Sequence, residues 1–311
     1  MILLSIVIPV VTPQEHLPAL FASCHGFPCH NVEFVVVNQS GQKLPNSVAD
    51  YNEFTITDHL ADRLQPAATA RNIGAHIANG KYLFFMDDDA VFHSGPRAFE
   101  ELLNLLELDI DAVIAQRGEI KANQYITHWP RGADSITLRN FSRLVIEWNV
   151  IIKKTIFFEL GCFPNIGTGS PHAALSGEVF VLFARFLCGQ HRFELLPSLQ
   201  VAHPSLFTKP KKCKTALGYS YGAGYAVGLS FPFFSPFWKI YWALRILLAA
   251  FLDLYGRNHE QVILIDAVYN IFFRFFLFKY RISGFIDCVR GRLPMSSVIL
   301  ERDASLIKPN S

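Results

Sequence analysis

Three consecutive aspartates, Asp87, Asp88 and Asp89, follow directly on the apolar run Tyr82-Leu83-Phe84-Phe85-Met86. Adjacent carboxylates repel one another. A divalent cation bound through their oxygens, often shared with substrate phosphates, relieves that repulsion. Taken alone, three acids in a row also suit a solvated turn, so their chemistry depends on where the chain puts them. An apolar run that ends in acids reads as a buried strand emerging at the carboxyl edge of a sheet, where open α/β folds hold their ligands.

The residues before the strand must position it. Ala70, Ile73, Gly74, Ile77 and Ala78 recur at helical spacing, and Gly80 stands where a left-handed helix cap would be wanted. The order is therefore helix, glycine stop, buried strand and acids. With Ala-Arg-Asn-x-Gly at Ala70 to Gly74 and Gly-Lys-Tyr, apolar run, Asp-x-Asp at Gly80 to Asp89, the sequence resembles the inverting family 2 glycosyltransferases of the GT-A fold. The resemblance implies an α/β protein: a Rossmann-like, mostly parallel central sheet flanked by helices, binding a nucleotide-sugar and Mn²⁺ or Mg²⁺. It assigns Asp89 to the metal, Asp87 to the ribose or the metal, and Asp88 to a second-choice contact. Arg71 would lie near the pyrophosphate or hold the acidic loop, since a guanidinium grips phosphate and carboxylate equally well. A surface salt bridge is the plainer role for it.

Two earlier segments, Ser5 to Val10 and Val32 to Val37, are apolar runs separated by a short helix after Pro13, the opening βαβ unit of a parallel sheet. By the resemblance, the first strand end (Pro9, Val10) and the second (Asn38, Gln39) cradle the base and ribose. The family's acidic pair after the second strand is replaced by Asn38 and Gln39, amides that offer both donor and acceptor to a base edge. A UDP-sugar is the first expectation. An ordinary turn is the alternative use of Asn38-Gln39-Ser40-Gly41.

Further on come a third strand at Phe54 to Thr57, an amphipathic helix at Pro96 to Leu108 and strands at Ala112 to Gly118 and Val150 to Lys154. The irregular stretch from Asn123 to Asn140, with His128, Trp129, Pro130 and Arg131, could face an acceptor. Phe157 to Pro164 resembles the family's helix leading into a glycine-rich loop, here Gly167 to Pro171. In the family a Glu-Asp pair then opens a helix and supplies the general base for the acceptor hydroxyl. This chain keeps Glu178 but has Val179 in the Asp position. A helix amino terminus keeps such a carboxylate ionised, which is also all that a purely structural acid would do there. Phe193 to Pro197 and Val201 to Pro204 close the module, with His203 either completing the metal sphere, contacting a phosphate or serving structure alone.

The 311 residues divide by character into a catalytic domain, 1–208, and a hydrophobic, aromatic-rich helical region, 209–311. The net charge of +2 gives no general attraction to nucleic acid. Hydrophobic residues make up 51% and charged residues only 17%, against the usual quarter or so, which points to apolar surface meeting a membrane or a partner. Six scattered cysteines fit reduced thiols in a cytosolic setting. Cys24-His25 and Cys29-His30 have no second pair at zinc-site spacing. Met1 to Val11 reads as a first strand rather than a signal peptide.

Thr215 to Trp238 is uncharged and long enough to span a bilayer, but glycines, Pro232 and Pro236 break it. Arg274 and Arg281 on a Phe-rich helix, with Trp238, Tyr241 and Trp242, suit helices lying on the cytoplasmic face of a membrane, the cluster Lys209, Lys211, Lys212 and Lys214 toward anionic lipid. Packing on the catalytic domain, or a homo-oligomer, would use the same apolar surface. Taken with the composition, the resemblance implies a metal-dependent inverting transferase moving a sugar to a saccharide or polyprenyl-linked acceptor in surface polysaccharide assembly. A nucleotidyltransferase and a non-catalytic nucleotide-binding or scaffolding relative are its rivals.

Overall fold

The computed structural model describes residues 2–49, 53–121, 124–127, 129, 135–204, 213–254 and 267–307. His128, Pro130 and Arg131, and three of the clustered lysines, Lys209, Lys211 and Lys212, lie outside them. The chain forms two compact units: Met1–Gln65, Thr69–Cys162 and Gly189–Leu206 make the first, and Pro66–Ala68, Phe163–Cys188 and Phe207–Ser311 the second.

The first unit is built on a nine-stranded sheet. Its strands are β1 (Leu4–Val10), β2 (Val32–Asn38), β3 (Thr55–Leu60), β4 (Tyr82–Phe85), β5 (Val91–Phe92), β6 (Ala112–Lys121), β7 (Gln124–Thr127), β8 (Val150–Lys153) and β9 (Phe193–Pro204). The order is β3-β2-β1-β4-β8-β6-β9-β5, with β7 on β6. β3, β2, β1 and β4 are parallel, so their carboxyl ends share one edge. β8 runs antiparallel to β4 and β6, and β5 antiparallel to β9.

Strand alternation sorts the side chains onto two faces. Ile6, Ile8, Phe34, Val36, Tyr82 and Phe84 join the core under the helices Leu17–Ser23 and Pro96–Glu107. Val7 and Val37 point the other way, toward the helix Ala67–Ile77, where Gly74 makes close contact possible: a Cβ there would stand 2.3 Å from Val7 Cγ1. Phe85 meets Phe157 on that same face, ring centroids 5.0 Å apart. Gly80 is a correction to the sequence reading. It is not among the positive-φ glycines; it is needed because a Cβ would fall 2.6 Å from the Ser5 backbone nitrogen. Its own N–H donates to Ser5 Oγ, which donates to the buried Glu33, so the turn into β4 is fastened by a buried polar chain.

In the second unit the glycines expected to interrupt the helical run do the opposite. The helix Cys213–Ser230 is continuous through all of them. A Cβ on Gly224 would lie 2.1 Å from the Arg281 carbonyl oxygen, and one on Gly284 2.1 Å from that of Tyr221. Small residues thus bring this helix and the helix Ala267–Val289 into backbone contact, and Pro232 follows where the first one stops. Among the described residues no helix is long and apolar enough to cross a membrane.

Candidate active site

The three aspartates leave the sheet immediately after β4. Met86 still donates to the Val7 carbonyl of β1, and Ala90 N–H closes a tight turn onto the Asp87 carbonyl. β5 then begins at Val91 and pairs antiparallel with β9, Val91 against Ala202, so His203 is carried to the side of the acidic turn. Its Nε2 lies 2.8 Å from Asp89 Oδ1 and 3.7 Å from Asp87 Oδ2. One ligand atom each from Asp87, Asp89 and His203 fall within 4.8 Å of one another, the one such metal-capable group among the described residues. Two carboxylates and an imidazole form a donor set that suits Mn²⁺ better than Mg²⁺, which prefers oxygen alone. Cys24 is no competitor, since burial pushes its thiol up to about 12.

Arg71 lies against the acidic turn. Almost fully buried, it reaches from the helix Ala67–Ile77 to pair with Asp87 Oδ1, and its Nη2 also stands 3.4 Å from Glu147 Oε1. Glu147 was not singled out from the sequence, and neither was Trp148, whose ring stacks on His203 at 5.7 Å and 20°. Both sit in the short 3₁₀ turn Glu147–Asn149 that leads into β8. Asn149 fixes that turn from beneath, donating 2.9 Å bonds to the carbonyls of Ala115 and Leu144 and accepting from Ile146 N–H. Because β8 is antiparallel to β4, with Phe84 opposite Ile151, the residues just before β8 arrive beside those just after β4.

The electrostatics follow from this packing. Burial, and then the charges of Asp89 and Asp87, push the Asp88 carboxyl up to about 6. Burial would also raise Asp89, but the hydrogen bond from His203 and its charge outweigh it and hold that carboxyl below its ordinary value. Glu147 is raised, by burial first and by Asp87, against the pull of Arg71. His16, in the loop after β1, adds a charge that lowers both Asp88 and Asp89.

At the ends of β1 and β2, Val10 pairs with Asn38 and its carbonyl accepts from Gln39 N–H. Asn38 is fully buried and fully engaged. Its Nδ2 donates to Gln42 O and Asp58 Oδ1, and its Oδ1 accepts from the backbone N–H and hydroxyl of Ser40. Among the described residues the Gln39 side chain is engaged only through its Oε1, which accepts from Gln65 N–H at 2.6 Å.

Over the chain, the model of glycosyl transferase family 2 matches residues 5–175, more than half of its length. The chain belongs to glycosyltransferase family 2. A relative described as an uncharacterized glycosyltransferase from Haemophilus influenzae is 30% identical over 105 residues, which is 34% of this chain and 35% of that one, so the match spans about a third of the relative's length. Among solved structures, S. aureus TarS 1–349 superposes with a TM-score of 0.57 at 12% identity, covering 93% of this chain and 91% of that one. The same TarS fragment in complex with UDP-GlcNAc gives 0.54 at 12% identity, over 94% and 93%. The mannosyltransferase PcManGT from Pyrobaculum calidifontis, in complex with GDP-Man and Mn²⁺, gives 0.53 at 13% identity, over 93% and 88%. The fold shared with these neighbours is the GT-A fold.

In this family 2 member, Glu178 belongs to the second unit. It is buried and opens the helix Glu178–Cys188, where the amino-terminal partial charge favours its ionised form. Gly167, at φ +108, lies against it: a Cβ there would stand 2.6 Å from the Glu178 carboxyl carbon. The glycine-rich loop is thus shaped to leave room for this carboxylate. Val179 beside it is partly buried.

Proposed function

We propose that the chain is a metal-dependent, inverting glycosyltransferase that moves a sugar from a nucleotide-sugar to a hydroxyl of a saccharide or lipid-linked acceptor. The observation that carries this is the convergence of Asp87, Asp89 and His203 at the carboxyl edge of β4, with Arg71 buried behind them. Those three residues would hold Mn²⁺ or Mg²⁺, which when bound offsets the charge that develops on the diphosphate leaving group. Arg71 keeps Asp87 aimed, and Trp148 braces the His203 ring. Gln39 and the backbone of Pro9 and Val10 would receive the base. The neighbours' ligands, UDP-GlcNAc in one and GDP-Man in the other, leave a uridine and a guanosine donor both open, with uridine our first choice.

Glu178 would take the acceptor proton as the hydroxyl attacks the anomeric carbon from the face opposite the leaving group, which inverts its configuration. A single glutamate does this without the family's following aspartate, since Val179 offers no second acid. The test is a panel of UDP- and GDP-sugars with Mn²⁺ and the full chain, read first as thermal stabilisation and then as nucleoside diphosphate release. Glu178→Gln should lower turnover by roughly 10²-fold or more while donor binding persists. Release of pyrophosphate instead would identify a nucleotidyltransferase. Unchanged turnover in the variant would remove Glu178 from the chemistry, and donor binding without turnover in the parent would leave a nucleotide-binding scaffold.

A further inference from the structure

Within the second unit, the helix Pro236–Leu254 is apolar on two sides. One side does what amphipathic helices do: Trp242, Ile246 and Ala250 are buried within the unit. The other carries Phe237, Ile240, Leu244, Leu247, Leu248 and Phe251, which recur at helical spacing and are each 44–66% exposed. No polar residue interrupts that arc. Isolated exposed leucines are ordinary on a protein surface, but a continuous stripe of six large apolar side chains marks a surface that meets something.

The residues along its edge say what. Trp238, Tyr241 and Arg245 flank the stripe on one side, and the Arg245 guanidinium lies 4.7 Å from the Trp242 ring and 5.8 Å from that of Tyr241. Amphipathic rings and a cation beside an apolar band suit a headgroup boundary. The stripe continues onto the helix Ala267–Val289 through the Phe251–Phe278 ring contact at 5.6 Å, where Phe275 is again exposed. From Phe237 to Phe251 it runs about 21 Å along the helix axis, and no described helix can span a bilayer. This geometry fits a helix lying in the membrane plane rather than crossing it.

Charge chooses between a lipid surface and a second copy of the chain. Residues 209–311 carry 14 Lys and Arg against 6 Asp and Glu, a net +8 in a chain whose total is only +2. Two such regions brought face to face would repel, whereas anionic headgroups attract each of them. We propose that the exposed face of the Pro236–Leu254 helix is a membrane-docking surface, seated at the headgroup–acyl boundary of an anionic bilayer and held there by the basic character of this region. This rests on no part of the catalytic assignment.

The experiment is co-sedimentation of the full chain with phosphatidylcholine vesicles, with and without phosphatidylglycerol. The unmodified protein should partition roughly tenfold more strongly onto the phosphatidylglycerol vesicles. Leu244→Glu with Leu248→Glu should lower that partition at least tenfold while leaving the melting temperature within a few degrees, because both side chains are already exposed. Tryptophan fluorescence of the unmodified protein on vesicles brominated in the acyl chains supplies a readout that needs no glutamate variant. Quenching that Trp238→Phe largely removes supports insertion at this face. A protein that stays in the supernatant with anionic vesicles, a double variant that binds like the parent, or the absence of quenching overturns the proposal. So does a lipid-free dimer that the double variant converts to monomer, since the face would then be a self-interface.

Discussion

His203 Nε2 stands 2.8 Å from Asp89 Oδ1, and the two residues are brought together by a single pair of backbone ladders, β5 on β9. If that pair is half of a metal site, removing the imidazole should be felt first by the metal. His203→Ala is expected to weaken Mn²⁺ binding by about tenfold or more, a range typical when support for a metal site is lost. Calorimetric titration of Mn²⁺ into both proteins measures it directly. Equal affinity in the two would mean that His203 serves the Asp89 carboxylate alone.

Arg71 lies between two carboxylates, Asp87 and Glu147, and is almost fully buried. Arg71→Ala should cost about 3 kcal/mol, the lower end for breaking a buried pair, because it leaves two part-buried carboxylates uncompensated. Glu147→Gln alone should be mild, since burial already disfavours the Glu147 anion. Adding Glu147→Gln to Arg71→Ala should restore on the order of 1 kcal/mol by removing one stranded carboxylate. Urea denaturation of the four proteins closes the cycle. Additive effects would show that the two side chains do not share a charge balance.

The acid run, the helix before it and the buried strand between them were legible because each is local. Apolar spacing marks the helix and strand, and their order marks the sheet edge. Glu147 and Trp148 were not, because their place depends on β8 running antiparallel to β4, a pairing that no local pattern in the chain announces. Their one signal was a carboxylate set directly against a buried apolar run, the same arrangement that marked Asp87. At Gly80 the turn is visible in the sequence, but the backbone of Ser5 that makes glycine necessary there belongs to a strand far off in sequence. The helix through Gly218, Gly222, Gly224 and Gly228 is hidden from local pattern likewise, since glycine lowers helix propensity locally while close helix packing repays it.

Asn38 and Gln39 are neighbours in sequence with different duties. Asn38→Ala removes four hydrogen bonds from a buried turn and should cost about 2 kcal/mol or more, with little effect on donor affinity beyond that loss of stability. Gln39→Ala should leave the melting temperature nearly unchanged and raise the KM for the nucleotide-sugar severalfold. Melting curves and donor titrations on the two variants separate these duties. An Asn38→Ala protein of normal stability but poor donor affinity would exchange the assignments.

Asp109 offers a pH-dependent test of what holds the opposite end of the sheet. Hydrogen bonds from Lys153 and Lys81, each with Nζ 2.7 Å from its Oδ1, hold its carboxyl down to about 2 from an ordinary 3.8. A carboxylate depressed in the folded state stabilises that state above its unfolded pKa, and the stabilisation is lost as pH falls through the folded value. The window is therefore from about pH 4 to about pH 2. Asp109 has φ +57, a left-handed conformation that Asn tolerates, so Asp109→Asn removes the charge without adding backbone strain. The parent should melt higher than Asp109→Asn at pH 7, and the gap should close as pH falls toward 2. Added salt should narrow the gap at pH 7, because the group is solvent-exposed and its ion pairs are screened. A gap that survives at pH 2 would trace the effect to packing instead of charge, and Lys81 and Lys153 would then have no part in joining β4 to β8 through this residue.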